Sequence, residues 1–146
     1  KTKFLLIGYG PKKNKIINFI KDNNLKNNVC VLKFTKNPFP YLKLADIFVL
    51  SSKYEGLPNV LLEALVLKKY IISSNCPTGP KEILDNGNYG SLFKISDHNE
   101  LSQKIIDYSK NKKSKRKKII DGFKSLKKYD FKNNCFEYYL IVKKYL

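Results

Sequence analysis

The chain has 146 residues, of which 42% are hydrophobic, and this size and composition favour one globular domain without a membrane-spanning segment. Its net charge of +17 is compatible with an anionic membrane surface or a nucleic acid as partner, and equally with a compositional bias toward A/T-rich codons. Because Arg116 is the only arginine among 29 basic residues, and nucleic-acid recognition relies on arginine, we expect no nucleic-acid partner.

Short apolar runs alternate with helical segments from one end of the chain to the other. Five runs predict strands, at residues 4–7, 29–34, 46–50, 70–73 and 89–93. A helix is predicted after each of them, beginning at Pro11, Pro38, Pro58, Lys81 and Asp97, and two more follow, separated near residues 129–130. The strands are short and do not alternate, which predicts one parallel α/β sheet covered by helices on both faces. In such a sheet the ligand lies at the carboxyl ends of the strands.

Cysteine and histidine offer little catalytic or metal-binding chemistry. Cys30, Cys76 and Cys135 lie far apart and form no CxxC pair, which argues against a disulfide framework and against a zinc site. We expect reduced, mostly buried thiols in a cytosolic protein. His98, the only histidine, falls in the first turn of a capped helix and is interpreted as a surface residue. No metal site is predicted.

The strongest local signal is the segment EGLPNVLLEA at residues 55–64. Gly56 permits a tight turn after a buried strand, and Pro58 suits the first position of a helix. The free N–H groups at that helix N-terminus would point to the ligand side of the sheet, where the helix dipole favours an anion. The segment therefore predicts a phosphate-binding site.

Two carboxylates flank this predicted anion site. The helix around Glu63 is apolar on nearly every side, so we expect it to be buried, and a buried carboxylate needs hydrogen-bond donors. Two adjacent sugar hydroxyls would satisfy Glu63, and Glu55 in the loop could reach a second sugar. Taken singly, each could instead be structural, with Glu63 bonded to a lysine or a backbone group and Glu55 exposed in the loop.

Several further segments accompany the Glu55 and Glu63 pair along the chain. They are KNP at 36–38, ADIFVLSS at 45–52, YEG at 54–56, CPTGPKEIL at 76–84 and, near the N-terminus, LLIGYGP at 5–11. With this combination, residues 3–110 resemble the C-terminal domain of family 4 glycosyltransferases, which have the two-domain GT-B architecture. The resemblance implies a single α/β Rossmann-like domain, with a parallel sheet flanked by helices and a helical C-terminus, that binds a nucleotide-sugar.

The resemblance also implies residue roles. Glu55 corresponds to the motif glutamate near the transferred sugar and the leaving diphosphate, and Glu63 corresponds to the one that bonds the ribose hydroxyls. The other implied donor-binding residues are Gly56, Leu57, Asn59 and Val60 through their backbone N–H groups, Phe34 and Thr35 at the strand end that meets the base, Gly8 in a loop facing the cleft, and Lys53 as a source of added positive charge. The turn at Gly79 is expected to matter for loop shape more than for contact.

The implied activity is transfer of a hexose or N-acetylhexosamine, with retained configuration, from a UDP-sugar (or GDP-sugar) donor. The acceptor would be a glycan or lipid-linked sugar in surface polysaccharide or glycoconjugate biosynthesis, reached at the inner face of the cytoplasmic membrane, with no cofactor or metal. In the family, an Arg and a Lys that neutralise the diphosphate come from just before the first strand seen here. We therefore expect residues 1–146, which contain no Met, to be a donor-binding domain truncated at its N-terminal edge, lacking the acceptor domain and inactive alone.

Two other functions stay open at this point. A non-catalytic basic module could bind membrane or nucleic acid through residues 110–118, where seven of nine residues are basic, and it would be indifferent to Glu55 and Glu63. Another GT-B-like enzyme, such as a sugar-nucleotide epimerase or a glycan phosphorylase, would need carboxylates and histidines, or a cofactor-binding lysine, that the sequence does not offer.

Overall fold

A computed structural model describes residues 2–145 of the chain. The strands in this part are β1 (Phe4–Ile7), β2 (Val29–Leu32), β3 (Ile47–Leu50), β4 (Tyr70–Ser74) and β5 (Ser91–Phe93). The helices are α1 (Lys13–Asp22), α2 (Phe39–Leu44), α3 (Asn59–Val66), α4 (Pro80–Ile83), α5 (His98–Lys110), α6 (Lys112–Ser125) and α7 (Phe131–Lys143), with 3₁₀ turns at Asp85–Gly87 and Leu126–Tyr129. The predicted order of strands and helices is confirmed.

The strands are parallel, as predicted, but they form two sheets instead of one. β1 pairs with β2, and β3, β4 and β5 pair in that order, so β4 is the central strand of the second sheet. The chain divides accordingly into two compact units, the first ending at Tyr41 and the second beginning at Leu42.

The core of the second unit lies on both faces of β4, whose residues are all buried. On one face Ile71 packs with Leu61 and Leu65 of α3. On the other face Tyr70 and Ile72 pack with Phe93 and Tyr108, and Tyr70 stacks on Tyr108 at a ring-centroid distance of 4.7 Å. Neighbouring residues of a strand point to opposite faces, so an uninterrupted apolar run is what a sheet covered on both sides requires. The expectation of two covered faces is confirmed for this unit.

The first unit is less well buried. Phe4, Leu5 and Leu6 of β1 are 43%, 43% and 40% exposed, and in α1 the buried side chain is Ile20. The prediction that both faces of every strand are covered is therefore wrong for β1. An apolar run indicates that a strand can be buried. Whether helices cover both faces of that strand depends on the rest of the fold.

The side chains of α7 are exposed throughout. Cys135 lies on this helix and is exposed, as is Cys30 on β2, whereas Cys76 is 3% exposed. The prediction of mostly buried thiols is thus wrong for two of the three cysteines. Small apolar residues are often buried, but this tendency does not override the position of an element at the surface.

Candidate functional site

The segment between β3 and α3, residues 51–58, is called the motif loop below. It begins at the carboxyl end of a parallel strand, which is where ligands bind in α/β sheets. Pro58, predicted as the first helical residue, is instead the buried N-cap of α3, one position earlier. Proline has no N–H and no polar side chain, and no side chain caps this helix end. The first turn of α3 therefore keeps its donors free.

Four backbone N–H groups at this helix end have no acceptor in residues 2–145. They belong to Gly56, Leu57, Asn59 and Val60, which are exposed. Leu61 is the first residue of α3 whose N–H is bonded, to Pro58 O at 2.9 Å. Unpaired N–H groups at the positive end of a helix dipole form a ready site for an anion.

Glu63 is only partly buried, so the prediction of a carboxylate enclosed by leucines is wrong. The buried side chains of α3 are Leu61, Ala64 and Leu65, which form a single stripe at helical spacing. Glu63 lies outside this stripe, one turn after Asn59 and on the same side of the helix as it. An eight-residue helix packs only one face on the core. The number of apolar residues in α3 overestimates the burial of Glu63, because it does not say which face of the helix each residue occupies.

Neither motif carboxylate is bonded to the protein. In the part of the chain that the structure describes, the side chains of Glu55 and Glu63 have no hydrogen-bond donor and no ion-pair partner. Both are partly buried. Glu63 therefore is not bonded to a lysine or backbone group, and Glu55 is not fully exposed. Both carboxylates are available to a ligand.

A second loop, residues 75–79 between β4 and α4, lies against the motif loop and is called the support loop. Ser74 Oγ, at the end of β4, donates to Ser52 O of the motif loop at 2.6 Å, which joins the two segments just before the support loop begins. Glu55 N–H donates to Pro77 O at 3.0 Å, and Thr78 N–H donates to Glu55 O at 2.9 Å. Thr78 was not among the site residues predicted from the sequence. The sequence does indicate a tight turn at the adjacent Gly79, because a glycine before a proline is typical of such turns.

The remaining predicted donor residues are described individually. In the first unit, Gly8 N–H donates to Leu32 O at 3.2 Å, and the exposed ring of Phe34 meets Tyr9 edge-on at 6.0 Å. Thr35 is partly buried and its hydroxyl accepts from Asn37 N–H at 3.2 Å. Lys53, in the second unit, is exposed. The roles of these four residues stay predictions.

His98 is exposed at the first position of α5, in agreement with its interpretation as a surface residue. Across residues 2–145, no group of three His, Cys, Asp or Glu side chains is arranged to hold a metal ion.

Comparison with known proteins identifies the family. A family model described as "Glycosyl transferases group 1" matches residues 1–125. The chain belongs to this family. The resemblance to family 4 glycosyltransferases is thereby confirmed, and the α/β fold, with parallel sheets flanked by helices and a helical C-terminus, matches the C-terminal portion of GT-B enzymes.

Three similar proteins illustrate the match. An uncharacterized glycosyltransferase of Methanocaldococcus jannaschii is 49% identical over 57% of this chain and 20% of its own length. The N-acetylgalactosamine-N,N'-diacetylbacillosaminyl-diphospho-undecaprenol 4-alpha-N-acetylgalactosaminyltransferase of Campylobacter jejuni is 28% identical over 84% of this chain and 36% of its own length. A Staphylococcus aureus TarM mutant, crystallised with Fondaparinux, alpha-GlcNAc-glycerol and UDP, superposes with a TM-score of 0.85 at 25% identity, over 94% of this chain and 28% of TarM. The chain thus spans less than a third of the Methanocaldococcus protein and of TarM, and 36% of the Campylobacter enzyme.

Proposed function

We propose that this chain binds the diphosphate of a nucleotide-sugar donor at the N-terminus of α3. The observation that carries the proposal is the set of free N–H groups on Gly56, Leu57, Asn59 and Val60. A diphosphate oxygen accepting from such groups gains charge-assisted hydrogen bonds as well as the favourable end of the helix dipole. These donors are fixed before the reaction, so they can stabilise the charge that develops on the leaving diphosphate.

The two free carboxylates are assigned to the sugars of the donor. Glu63 lies one turn beyond the free N–H groups, about 6 Å along the helix axis from Asn59, and accepts hydrogen bonds from the ribose hydroxyls. Glu55 precedes the same N–H groups and lies near the transferred sugar and the leaving diphosphate. Two adjacent hydroxyls suit a carboxylate because both of its oxygens can accept.

The other donor-binding residues, the nucleotide and the reaction complete the proposal. Phe34 and Thr35 lie at the strand end that meets the base, Gly8 lies in the loop that faces the cleft, and Lys53 adds positive charge near the diphosphate. The nucleotide is UDP, the nucleotide named in the TarM complex. A longer protein containing this chain transfers a hexose or N-acetylhexosamine with retained configuration, without a metal.

The proposed acceptor is a growing glycan or a lipid-linked sugar at the cytoplasmic face of the membrane. The Campylobacter relative is named for an acceptor linked to diphospho-undecaprenol, which supports a lipid-linked sugar. Family membership favours this transferase function over a non-catalytic basic module or an epimerase.

The test is ligand-observed NMR of the protein with UDP, UDP-glucose, UDP-N-acetylglucosamine and GDP-mannose. We expect the UDP ligands to bind and Glu63→Gln to weaken them about tenfold, since a hydrogen bond to a charged group is lost. Glu137→Gln on the exposed helix α7 removes the same charge elsewhere and is expected to bind like the wild type. Equal affinity of the wild type and Glu63→Gln would remove the ribose role, and absence of binding by the wild type would refute the donor site.

A further inference from the structure

The support loop fixes the peptide of Glu55 from both sides. Glu55 N–H donates to Pro77 O at 3.0 Å, and Glu55 O accepts from Thr78 N–H at 2.9 Å. The Thr78 hydroxyl lies 3.3 Å from Glu55 O and 3.4 Å from Gly56 O, which is longer than a strong O–H···O bond. The backbone pair is therefore the main connection, and the hydroxyl is a weaker addition to it.

Gly79 packs against the motif loop where no side chain fits. Its φ is +89°, a conformation that side chains disfavour, and an added Cβ would lie 2.5 Å from Pro58 Cδ and still closer to Gly56 O. Gly79 is itself held by the core, because Pro80 and Ile83 of α4 are buried and Ile83 N–H donates to Gly79 O at 2.8 Å. The backbone at the start of α3 thus rests on Gly79.

We propose that Gly79 and Thr78 are positioning residues that hold the motif loop in the geometry for donor binding. The inference rests on the proposed function, since it concerns the N–H groups that follow Glu55. Gly79 acts through Gly56 and Pro58, the residues around the proposed phosphate donors. A shift of these residues by a few tenths of an ångström would misalign several hydrogen bonds to the diphosphate at once.

The test compares two glycines that share a left-handed conformation but differ in their surroundings. Gly87 has a φ of +93°, close to that of Gly79, and a Cβ there meets nothing within 4 Å. Both Gly79→Ala and Gly87→Ala therefore carry backbone strain, and only Gly79→Ala displaces the motif loop. We expect the dissociation constant for UDP to rise about tenfold in Gly79→Ala, as for one lost charge-assisted hydrogen bond, and to stay unchanged in Gly87→Ala. Circular dichroism checks that both variants are folded at the temperature of the titration.

A second measurement keeps the inference testable if Gly79→Ala does not fold. In amide hydrogen exchange of the wild type, we expect the Glu55 and Thr78 N–H groups to be protected without ligand. The N–H groups of Gly56 and Leu57 should become protected only when UDP is added. Thr78→Val, which removes the hydroxyl at an exposed position, should weaken UDP binding by about two- to threefold at most, in line with one weak hydrogen bond.

The outcomes separate this inference from the proposed function. If the wild type binds neither UDP nor a UDP-sugar, the donor site is refuted and the positioning role with it. If the wild type binds UDP and Gly79→Ala binds it equally well, the positioning role alone is overturned. Unprotected Glu55 and Thr78 amides in the free wild type would also overturn it.

Discussion

At the scale of single residues, Asp107 on α5 is a carboxylate bonded by two neighbouring side chains. The Lys115 ammonium bonds it at 2.6 Å and the Asn111 side-chain amide donates to it at 2.7 Å. The hydrogen bond from Lys115, followed by that from Asn111, lowers the pKa of Asp107 below its usual 3.8. A lowered pKa means that the folded state favours the ionised carboxylate. The resulting contribution to stability is fully present when the pH is above the pKa of the unfolded state, and it is lost as the pH falls through the pKa of the folded state.

We therefore expect the pH dependence of unfolding to be flatter in Asp107→Asn. Between about pH 6 and about pH 2, the wild type should lose more free energy of unfolding than the variant does, because only the wild type must protonate this carboxylate. Urea denaturation at several pH values measures the difference. Asp22→Asn, at the end of α1, serves as a control for removal of a carboxylate as such. Parallel curves for the wild type and Asp107→Asn would contradict the prediction.

Residue-level predictions from sequence succeeded where the backbone alone decides the outcome. The free N–H groups of Asn59 and Val60 follow from a helix start at a proline, and free donors at this helix end were predicted. The burial of Glu63 was predicted wrongly, because it depends on which face of α3 meets the core. The contact between Gly79 and Gly56 joins two loops far apart in sequence and could not be predicted from local pattern.

At the scale of elements, two helices have the same type of N-cap in different surroundings. The Asp97 carboxylate accepts from Glu100 N–H at 2.8 Å at the start of α5, and the Asp130 carboxylate accepts from Asn133 N–H at 2.9 Å at the start of α7. α5 packs on the core through the buried Tyr108, whereas every described side chain of α7 is exposed.

We expect Asp97→Ala to lower the global free energy of unfolding by about 1 kcal/mol, the usual cost of a lost N-cap. Asp130→Ala should mainly fray α7, with a smaller change in global stability and a loss of helical circular dichroism. Urea denaturation of both variants, followed by circular dichroism, measures the contrast. Equal losses of global stability would show that α7 unfolds together with the core.

Some predicted element boundaries differ from the structure by one or two residues. β2 was predicted to reach Phe34 and ends at Leu32, while β4 extends one residue further than predicted, to Ser74. The capping box at the start of α5 is half formed. The Asp97 carboxylate accepts from Glu100 N–H, but the Glu100 carboxylate accepts from Lys94 N–H at 2.8 Å, since Asp97 N–H is already bonded to Lys94 O.

At the scale of the whole molecule, part of the +17 charge has a structural role. On α6, Lys112 forms an ion pair with Asp46, and Lys115 forms one with Asp107. Lys118 donates hydrogen bonds to the carbonyl oxygens of Gly87 and Gly90. The pKa of Lys118 is lowered, mainly by its burial and secondarily by the charges of nearby lysines. The exposed members of this segment include Lys113, Arg116 and Lys117, which share one face of the helix. Among residues 2–145, no helix combines the length and apolar character needed to cross a bilayer.

We expect this exposed face of α6 to contribute to binding of an anionic membrane surface. Replacing Lys113, Arg116 and Lys117 together by Gln should weaken sedimentation with phosphatidylglycerol vesicles by up to about a hundredfold at low salt, because each charge near such a surface contributes about 1 kcal/mol. Replacing Lys12, Lys15 and Lys21 by Gln makes the same change of charge in the first unit. Equal losses in both variants would indicate general charge attraction, and binding to RNA but not to vesicles would contradict the prediction.

The alternation of short apolar runs with helical segments predicted the fold class of the chain and its parallel strands. The division into a two-stranded and a three-stranded sheet could not be predicted, because β1 and β3 have similar apolar sequences and nothing local specifies their partners. The pairing of strands depends on contacts between distant parts of the chain.

The exposure of two cysteines has a practical consequence. Cys30 lies in the first unit and Cys135 in the second, while Cys76 is shielded, so maleimide dyes would attach at one position in each unit without any engineered residue. Energy transfer between a donor dye and an acceptor dye on these two thiols would report the distance between the units before and after nucleotide is added.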